Sequence, residues 1–250
     1  MARTPIALQL YSVREDCARD LPGVLAAVAR MGYEGVEFAG YYERSAKELR
    51  KLLDDLGLKA AGAHIGLDVL LEDQLPRTIE FHQELGNQFL VIPWMDPRRM
   101  QTRDAWADFG KQLTEIAGKL KPHGMHPGYH NHSHEFKPIE GETPWDTLAA
   151  NSSADVVMQL DIGNCLHGGG DAMGLLRKWA GRALTVHLKE YSAANDKALV
   201  GEGEVPWSEV FEVCEAAGKT QWYIVEQESY PSSPLESVEG CVRFLKTLRR

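Results

Sequence analysis

The sequence predicts one α/β domain, a closed (β/α)8 barrel, on three observations. Apolar strand-like runs alternate with longer amphipathic stretches along the whole chain, eight such runs can be counted, and the 250 residues match the size of an eight-fold barrel, about 250 residues. Alternating strands and helices imply parallel pairing, and eight units allow closure. No Pro/Gly/Ser linker, low-complexity tract or like-charge block interrupts residues 1–250, so a single domain is expected.

The first strand is expected over Ile6–Leu10. After it, Leu21, Val24, Leu25, Val28 and Met31 recur at helical spacing and Gly32 follows, a residue suited to the left-handed helix end. The second strand, Gly35–Phe38, leads to Leu49, Leu52, Leu53 and Leu56 and then Gly57. The remaining strands are expected over Lys59–His64, Phe89–Trp94, Gly128–His132, Val156–Asp161, Leu184–Lys189 and Trp222–Glu226, with Gly86 and Gly218 as further helix ends. A doubly wound open sheet is the competing architecture. It advertises a glycine-rich turn after its first strand, whereas here that turn reads Tyr11-Ser12-Val13-Arg14-Glu15-Asp16.

Composition removes several function classes. Hydrophobic residues at 44% and charged residues at 25% exclude disorder and a disulfide scaffold. With 27 basic and 36 acidic residues the net charge is −9, a field that repels phosphate backbones and anionic bilayers, so neither nucleic acid nor membrane is an expected partner. Cys17, Cys165, Cys214 and Cys241 lack C-x-x-C spacing and read as reduced thiols. The opening residues reach Gln9 before any signal-peptide core forms, and no apolar run has membrane-spanning length, so a cytoplasmic location is expected. Sequons at Asn131 and Asn151 are then chance matches, and Gly168-Gly169-Gly170 reads as a flexible loop.

Strand parity places the polar residues. Met158 and Leu160 should pack outward while Gln159 and Asp161 point inward; Val186 and Leu188 outward, His187 and Lys189 inward. Gln9, Glu37 and His64 repeat the pattern in the first three strands. Ionisable groups gathered late in barrel strands are costly to bury, and that end of a barrel is where enzymes of this architecture work.

Four segments could carry chemistry: His130-Asn131-His132-Ser133-His134-Glu135, Asp161-Ile162-Gly163-Asn164, His187-Leu188-Lys189-Glu190 and Val225-Glu226-Gln227-Glu228. Carboxylates from neighbouring strands with one imidazole make a hard, mainly oxygen-donor site suited to Mn²⁺ or Mg²⁺ and tolerant of Co²⁺ or Zn²⁺. Carboxylates left uncompensated there would repel, and a divalent cation offsets that charge. The plainer readings are a hydrogen-bonded structural histidine, a surface histidine tract, and a Lys189 that neutralises Glu190 or Asp161 rather than touching substrate. Of six tryptophans only Trp94, at the end of the fourth strand, is placed to line a pocket. G-x-S-x-G, P-loop, H-E-x-x-H and P-C-x-x-C signatures are absent.

The segments Gln9-Leu10-Tyr11-Ser12-Val13-Arg14, Tyr129-His130-Asn131-His132 through Glu135-Phe136, Leu160-Asp161-Ile162-Gly163-Asn164, His187-Leu188-Lys189, Gly201-Glu202-Gly203 and Ile224-Val225-Glu226-Gln227 resemble the xylose-isomerase-like TIM-barrel superfamily. More narrowly they resemble its sugar phosphate isomerase/epimerase branch, whose relatives include inosose dehydratases, ketose epimerases, enzymes acting on 3-keto-glycosides, and endonuclease IV. The resemblance spans essentially the whole chain and is specific for the superfamily, not for a substrate. By motif it implies metal ligands at Glu135, Asp161, His187 and Glu226 and one divalent ion, Mn²⁺ first. Many epimerase relatives place the first glutamate on a different local motif, within the fifth strand, which leaves His130 or His132 as a substitute or aid for Glu135.

The implied chemistry is removal of a carbon-bound proton α to a carbonyl of a polyhydroxy substrate, giving an enediolate. Glu226 with Glu135 or His132 would form the proton-transfer pair, Lys189 and His64 would hold substrate oxygens, and Gln9, Glu37, Trp94 and His130 would line the site. The expected function is a metal-dependent sugar isomerase or epimerase. The alternatives are a lyase that dehydrates a keto-inositol or eliminates from a 3-keto-glycoside, a non-catalytic carbohydrate-binding barrel, and an abasic-site endonuclease. The acidic balance and single ligand set argue against the last. The expected partner is a small carbohydrate, and a homodimer is compatible with barrels of this type.

Overall fold

The structure, a computed structural model, describes residues 3–217 and 219–248. Eight parallel strands hydrogen-bond in chain order, and the first closes on the last. They are β1 (Ile6–Gln9), β2 (Gly35–Phe38), β3 (Lys59–His64), β4 (Phe89–Ile92), β5 (His126–His130), β6 (Val157–Asp161), β7 (Thr185–Leu188) and β8 (Trp222–Val225). The helices are α1 (Arg14–Met31), α2 (Ala46–Leu56), α3 (Leu75–Leu85), α4 (Arg103–Leu120), α5 (Pro144–Ala150), α6 (Ile162–His167), α7 (Ala172–Lys178), α8 (Trp207–Ala217) and α9 (Pro234–Leu248). The chain is therefore a single closed barrel, as the alternation of elements predicts.

Local chemistry sets the helix ends. Gly32, Gly57 and Gly86 adopt positive φ of 88°, 69° and 78° at the ends of α1, α2 and α3, where an L side chain would be strained; Gly218 lies outside the described residues. Ser45 and Glu48 form a reciprocal capping box at the start of α2. Within α1 the backbone leaves helical geometry at Asp20, whose side chain accepts from Gly23 N–H, and Pro22 sits in the turn that restarts the helix.

Two strands differ from expectation by two residues, and the others by at most one at either end. The fourth strand ends at Ile92, because the chain leaves the sheet at Pro93, which has no N–H to give a ladder. The fifth lies two residues earlier than expected, and Asn131 and His132 have already left it. Gly168 and Gly170 also differ: a side chain on the first would strike the Ser133 carbonyl and one on the second the Phe136 ring and Cys165, so these glycines serve close packing.

The strands divide the protein into two cores. Their outward faces pack with the helices in one continuous apolar cluster. Inside the barrel a small second cluster, Ala7, Ala61, Phe89, Val91, Val157, Trp222 and Ile224, fills the half nearer the amino ends of the strands. Above it the inward positions turn polar. No helix among the described residues is long and apolar enough to cross a membrane.

Candidate metal centre at the carboxyl end of the barrel

The deepest polar layer is built around Glu37 on β2, which is fully buried. Its carboxylate accepts from Gln9 Nε2 at 2.7 Å, Gln159 Nε2 at 2.8 Å and His187 Nε2 at 2.6 Å, and lies 3.2 Å from His64 Nε2. A side chain on Gly62 would collide with Glu37, so β3 needs a glycine there for the carboxylate to fit. Gln159 closes the layer, donating also to Thr185 Oγ1 at 2.9 Å and meeting His64 Nε2 through Oε1 at 2.8 Å. Gln9 and Glu37, expected against substrate, instead lie beneath the site as its hydrogen-bonded floor. His64 joins the same layer and stacks on His187, with ring centroids 5.3 Å apart and planes 8° apart.

Above that floor the second half of the barrel supplies His130 from β5, Asp161 from β6, His187 from β7 and Glu226 just after β8. One ligand atom from each of the four lies within 4.8 Å of every other, and all four side chains are buried. His64, His130 and His187 form an overlapping group within the same limit. His187 connects the two layers, with Nε2 on Glu37 and Nδ1 on Glu226 Oε2 at 3.0 Å. A carboxylate behind a histidine fixes the ring and its tautomer, the arrangement that orients imidazole ligands.

The donor set fits a divalent cation. Among the described residues, Asp161 Oδ2 and His130 Nδ1 are buried without a hydrogen-bond partner, a condition that costs free energy unless a ligand satisfies it. Asp161 Oδ1 is engaged, accepting from Asn164 N–H at the first turn of α6, which leaves Oδ2 turned to His187 Nδ1 at 4.0 Å. Burial pushes the Asp161 carboxyl up to about 7 against the pull of Lys189. Burial also opposes ionisation of Glu226, yet Lys189 and His187 hold it well below the usual carboxylate range. Burial works against charge on His187 too, but Glu37 and Glu226 outweigh it and lift the imidazole to about 10. His130 is driven well below its usual value by burial and then by His187, which favours the neutral ring a metal requires.

Glu135, expected as the first ligand, stands apart from the four. It is fully buried, accepts from Tyr129 Oη at 2.6 Å and His132 N–H at 2.9 Å, and lies 3.1 Å from His134 Nε2. The carboxylate folds the short turn after β5, and the residue that lies with Asp161, His187 and Glu226 within 4.8 Å is His130. His132 faces the site edge with Nδ1 buried and unpartnered, and burial lowers its affinity for a proton. Lys189 pairs with Glu228 rather than Glu190, and Glu226, Asp161 and Glu228 together raise its affinity for a proton despite burial. Trp94 is 52% exposed and Tyr11 41%, two large rings at the ends of β4 and β1, and the Arg14 guanidinium covers Tyr11 at 4.3 Å.

Two residues went unassigned in the sequence. Glu190 accepts from the backbone of Tyr191, Gly201 and Val205 and from Trp207 Nε1, gathering the loop after β7 around one carboxylate. Gly201-Glu202-Gly203 is where that loop presses on it: a side chain on Gly203 would strike Glu190 and the Tyr191 carbonyl. Asn131 is fully buried and bonds to the backbone of Asp161. The polarity of a segment that reads as a strand end was the available signal.

The chain matches the sequence profile of the Xylose isomerase-like TIM barrel family over residues 25–248. It is 26% identical over 247 residues to an inosose dehydratase of Geobacillus thermodenitrificans, covering 83% of this chain and 82% of that one. Among solved structures it resembles a sugar phosphate isomerase/epimerase from Parabacteroides distasonis, with TM-score 0.84 and 23% identity, covering 98% of this chain and 94% of the other. It also resembles the IolI protein with a bound zinc atom, with TM-score 0.74 and 13% identity over 98% and 97% of the two chains. A matched profile over most of the chain, on an observed closed barrel, makes this protein a member of the xylose isomerase-like TIM barrel family.

Proposed function

We propose that this barrel is a divalent-metal-dependent enzyme of carbohydrate metabolism that removes a proton α to the carbonyl of a polyhydroxy ketone or aldehyde. The observation that carries the reading is the convergence of His130, Asp161, His187 and Glu226 within 4.8 Å, with Asp161 Oδ2 and His130 Nδ1 left unsatisfied. These four would hold the ion, Mn²⁺ first, which when bound polarises the carbonyl and a neighbouring oxygen as a Lewis acid. Lys189, cationic and reaching the same carboxylates, is positioned to stabilise negative charge developing on a substrate oxygen. Glu226, held ionised by Lys189 and His187, and His132, held neutral by burial, are the proposed proton-transfer pair. Trp94 presents an apolar ring to the carbon face of the substrate.

A second reading, elimination of water, draws on a specific observation. Glu135 is tied to Tyr129 and His132, so the two-carboxylate pair that would move a proton across both faces is not assembled. An imidazole in its place suits protonation of a departing hydroxyl. The inosose dehydratase relatives favour the same reaction.

The test is ¹H NMR in D₂O of several ketoses, an inosose and a 3-keto-glucoside, each incubated with Mn²⁺-loaded protein and freed of metal before recording, beside Glu226→Gln. Deuterium entering at the α-carbon only with the intact site is the expected result, and the product separates epimer, isomer and dehydration. Absence of exchange in every substrate, with stoichiometric metal bound, would overturn the reading in favour of a carbohydrate-binding barrel.

A further inference from the structure

We infer that Asn131 is a positioning residue for the metal centre, acting by substituting its side-chain amide for a missing strand peptide beside Asp161. The inference rests on the metal reading above. The β5–β6 ladder runs Gly128 to Val157, Tyr129 to Met158 and His130 to Gln159, and there it stops. On its other side Asp161 is still paired, opposite His187 of β7. Its N–H and C=O would face an empty flank on the β5 side, since the chain turns off after His130 toward the Glu135 turn.

Asn131 fills that flank. Its Oδ1 accepts from Asp161 N–H at 2.9 Å and its Nδ2 donates to Asp161 C=O at 3.2 Å. A carboxamide carries one acceptor and donors on a planar group, as a peptide does, so it can continue a ladder without a strand. The clamp is reciprocal, because Asn164 Nδ2 donates to the Asn131 carbonyl at 3.2 Å while Asn164 N–H holds Asp161 Oδ1 at 2.6 Å. Asp161 is thus fixed by β7 on one side, by Asn131 on the other and by α6 through one carboxylate oxygen. The remaining oxygen, Oδ2, is left turned toward His187, 4.0 Å from its Nδ1. The same residue lets β5 end early, which is what places His130 as the last residue of its strand and therefore in the cluster.

An acid cannot replace the amide. Aspartate at 131 would keep the acceptor for Asp161 N–H but set an anionic oxygen against the Asp161 carbonyl. Outer partners of metal ligands are commonly worth 10- to 100-fold in metal affinity.

The experiment is calorimetric titration of Mn²⁺ and Co²⁺ into metal-free wild type, Asn131→Ala, Asn131→Asp and Asn164→Ala, with the Co²⁺ absorption spectrum and urea midpoint recorded for each. Wild type should bind one ion, Asn131→Ala and Asn131→Asp should bind about 10- to 100-fold more weakly with an altered Co²⁺ spectrum, and Asn164→Ala should fall between. A lowered urea midpoint with unchanged affinity and spectrum would make Asn131 merely structural and overturn the inference. Wild type that binds no ion would instead overturn the metal reading, and the inference with it. Should Asn131→Ala fail to fold, Asn131→Asp and Asn164→Ala give the same decision.

Discussion

The two halves of the barrel mouth carry similar residues in opposite states. In the first half Gln9, Glu37 and His64 satisfy one another and their neighbours, so that Glu37 alone receives three hydrogen bonds. In the second half His130 and Asp161 each retain a buried atom with no partner among the described residues. Both halves bury charge, yet only one is complete by itself. A closed network reads as scaffold, and an open one as a place prepared for a ligand.

The comparison breaks most visibly if activity ignores the open half. Glu226→Gln keeps the shape of the side chain but not its charge, and α-deuterium exchange should fall by about 10²- to 10⁴-fold, measured by NMR on metal-loaded protein. Equal rates would sever the cluster from the chemistry. Stability separates the halves next. Glu37→Ala strips partners from His187, Gln9 and Gln159 and should cost on the order of 3–5 kcal/mol in urea unfolding. Asp161→Asn in metal-free protein removes a carboxyl already pushed up to about 7 by burial, and should cost less than 1.5 kcal/mol. Similar losses at both positions would erase the distinction.

A third closed network, behind the barrel wall, sharpens the rule through pH. His82 meets Tyr41 Oη through Nε2 at 3.1 Å and accepts from Asn87 Nδ2 through Nδ1 at 2.9 Å, and burial lowers its pKa to about 4. The unfolded chain takes up this proton near pH 6.5, the folded one only near 4. The stability tied to the neutral ring is therefore complete above pH 6.5 and is lost as pH falls toward 4, on the order of 3 kcal/mol. Urea midpoints at pH 7.5, 5.5 and 4 should show a decline that is blunted in His82→Gln. The smallest effect belongs to Trp94, half exposed at the rim. Trp94→Ala should leave stability within about 0.5 kcal/mol and raise KM a few-fold at constant kcat, and a changed kcat would move Trp94 from binding into the reaction.

Much of this was legible in the chain because barrels convert sequence period directly into direction. Parity along β6 and β7 turned Gln159, Asp161 and His187 inward, and the helix-ending glycines marked the restarts. What parity does not encode is depth. Glu37 and His130 share an inward direction, but one lies under the site and the other in it, and only the stagger of neighbouring strands decides which. Glu135 stands apart from the four for a related reason. The motif around it is continuous in sequence, while the strand ends five residues before it, and everything beyond His130 is governed by turn hydrogen bonds rather than by period. Asn131 was invisible because an asparagine imitating a peptide looks like any polar residue at a strand end.

Glu190 bears on how such a protein can change. By gathering the backbone N–H groups of Tyr191, Gly201 and Val205 together with Trp207 Nε1 on one carboxylate, it fixes the path of a long loop largely through groups that every amino acid except proline supplies. Of the exposed residues of that loop, Glu202 and Glu204 add side-chain contacts of their own, to the backbone of Leu199 and Ala193. Mutation elsewhere on the exposed side of the loop leaves the Glu190 contacts in place, so the segment can vary beside the cluster without disturbing the barrel.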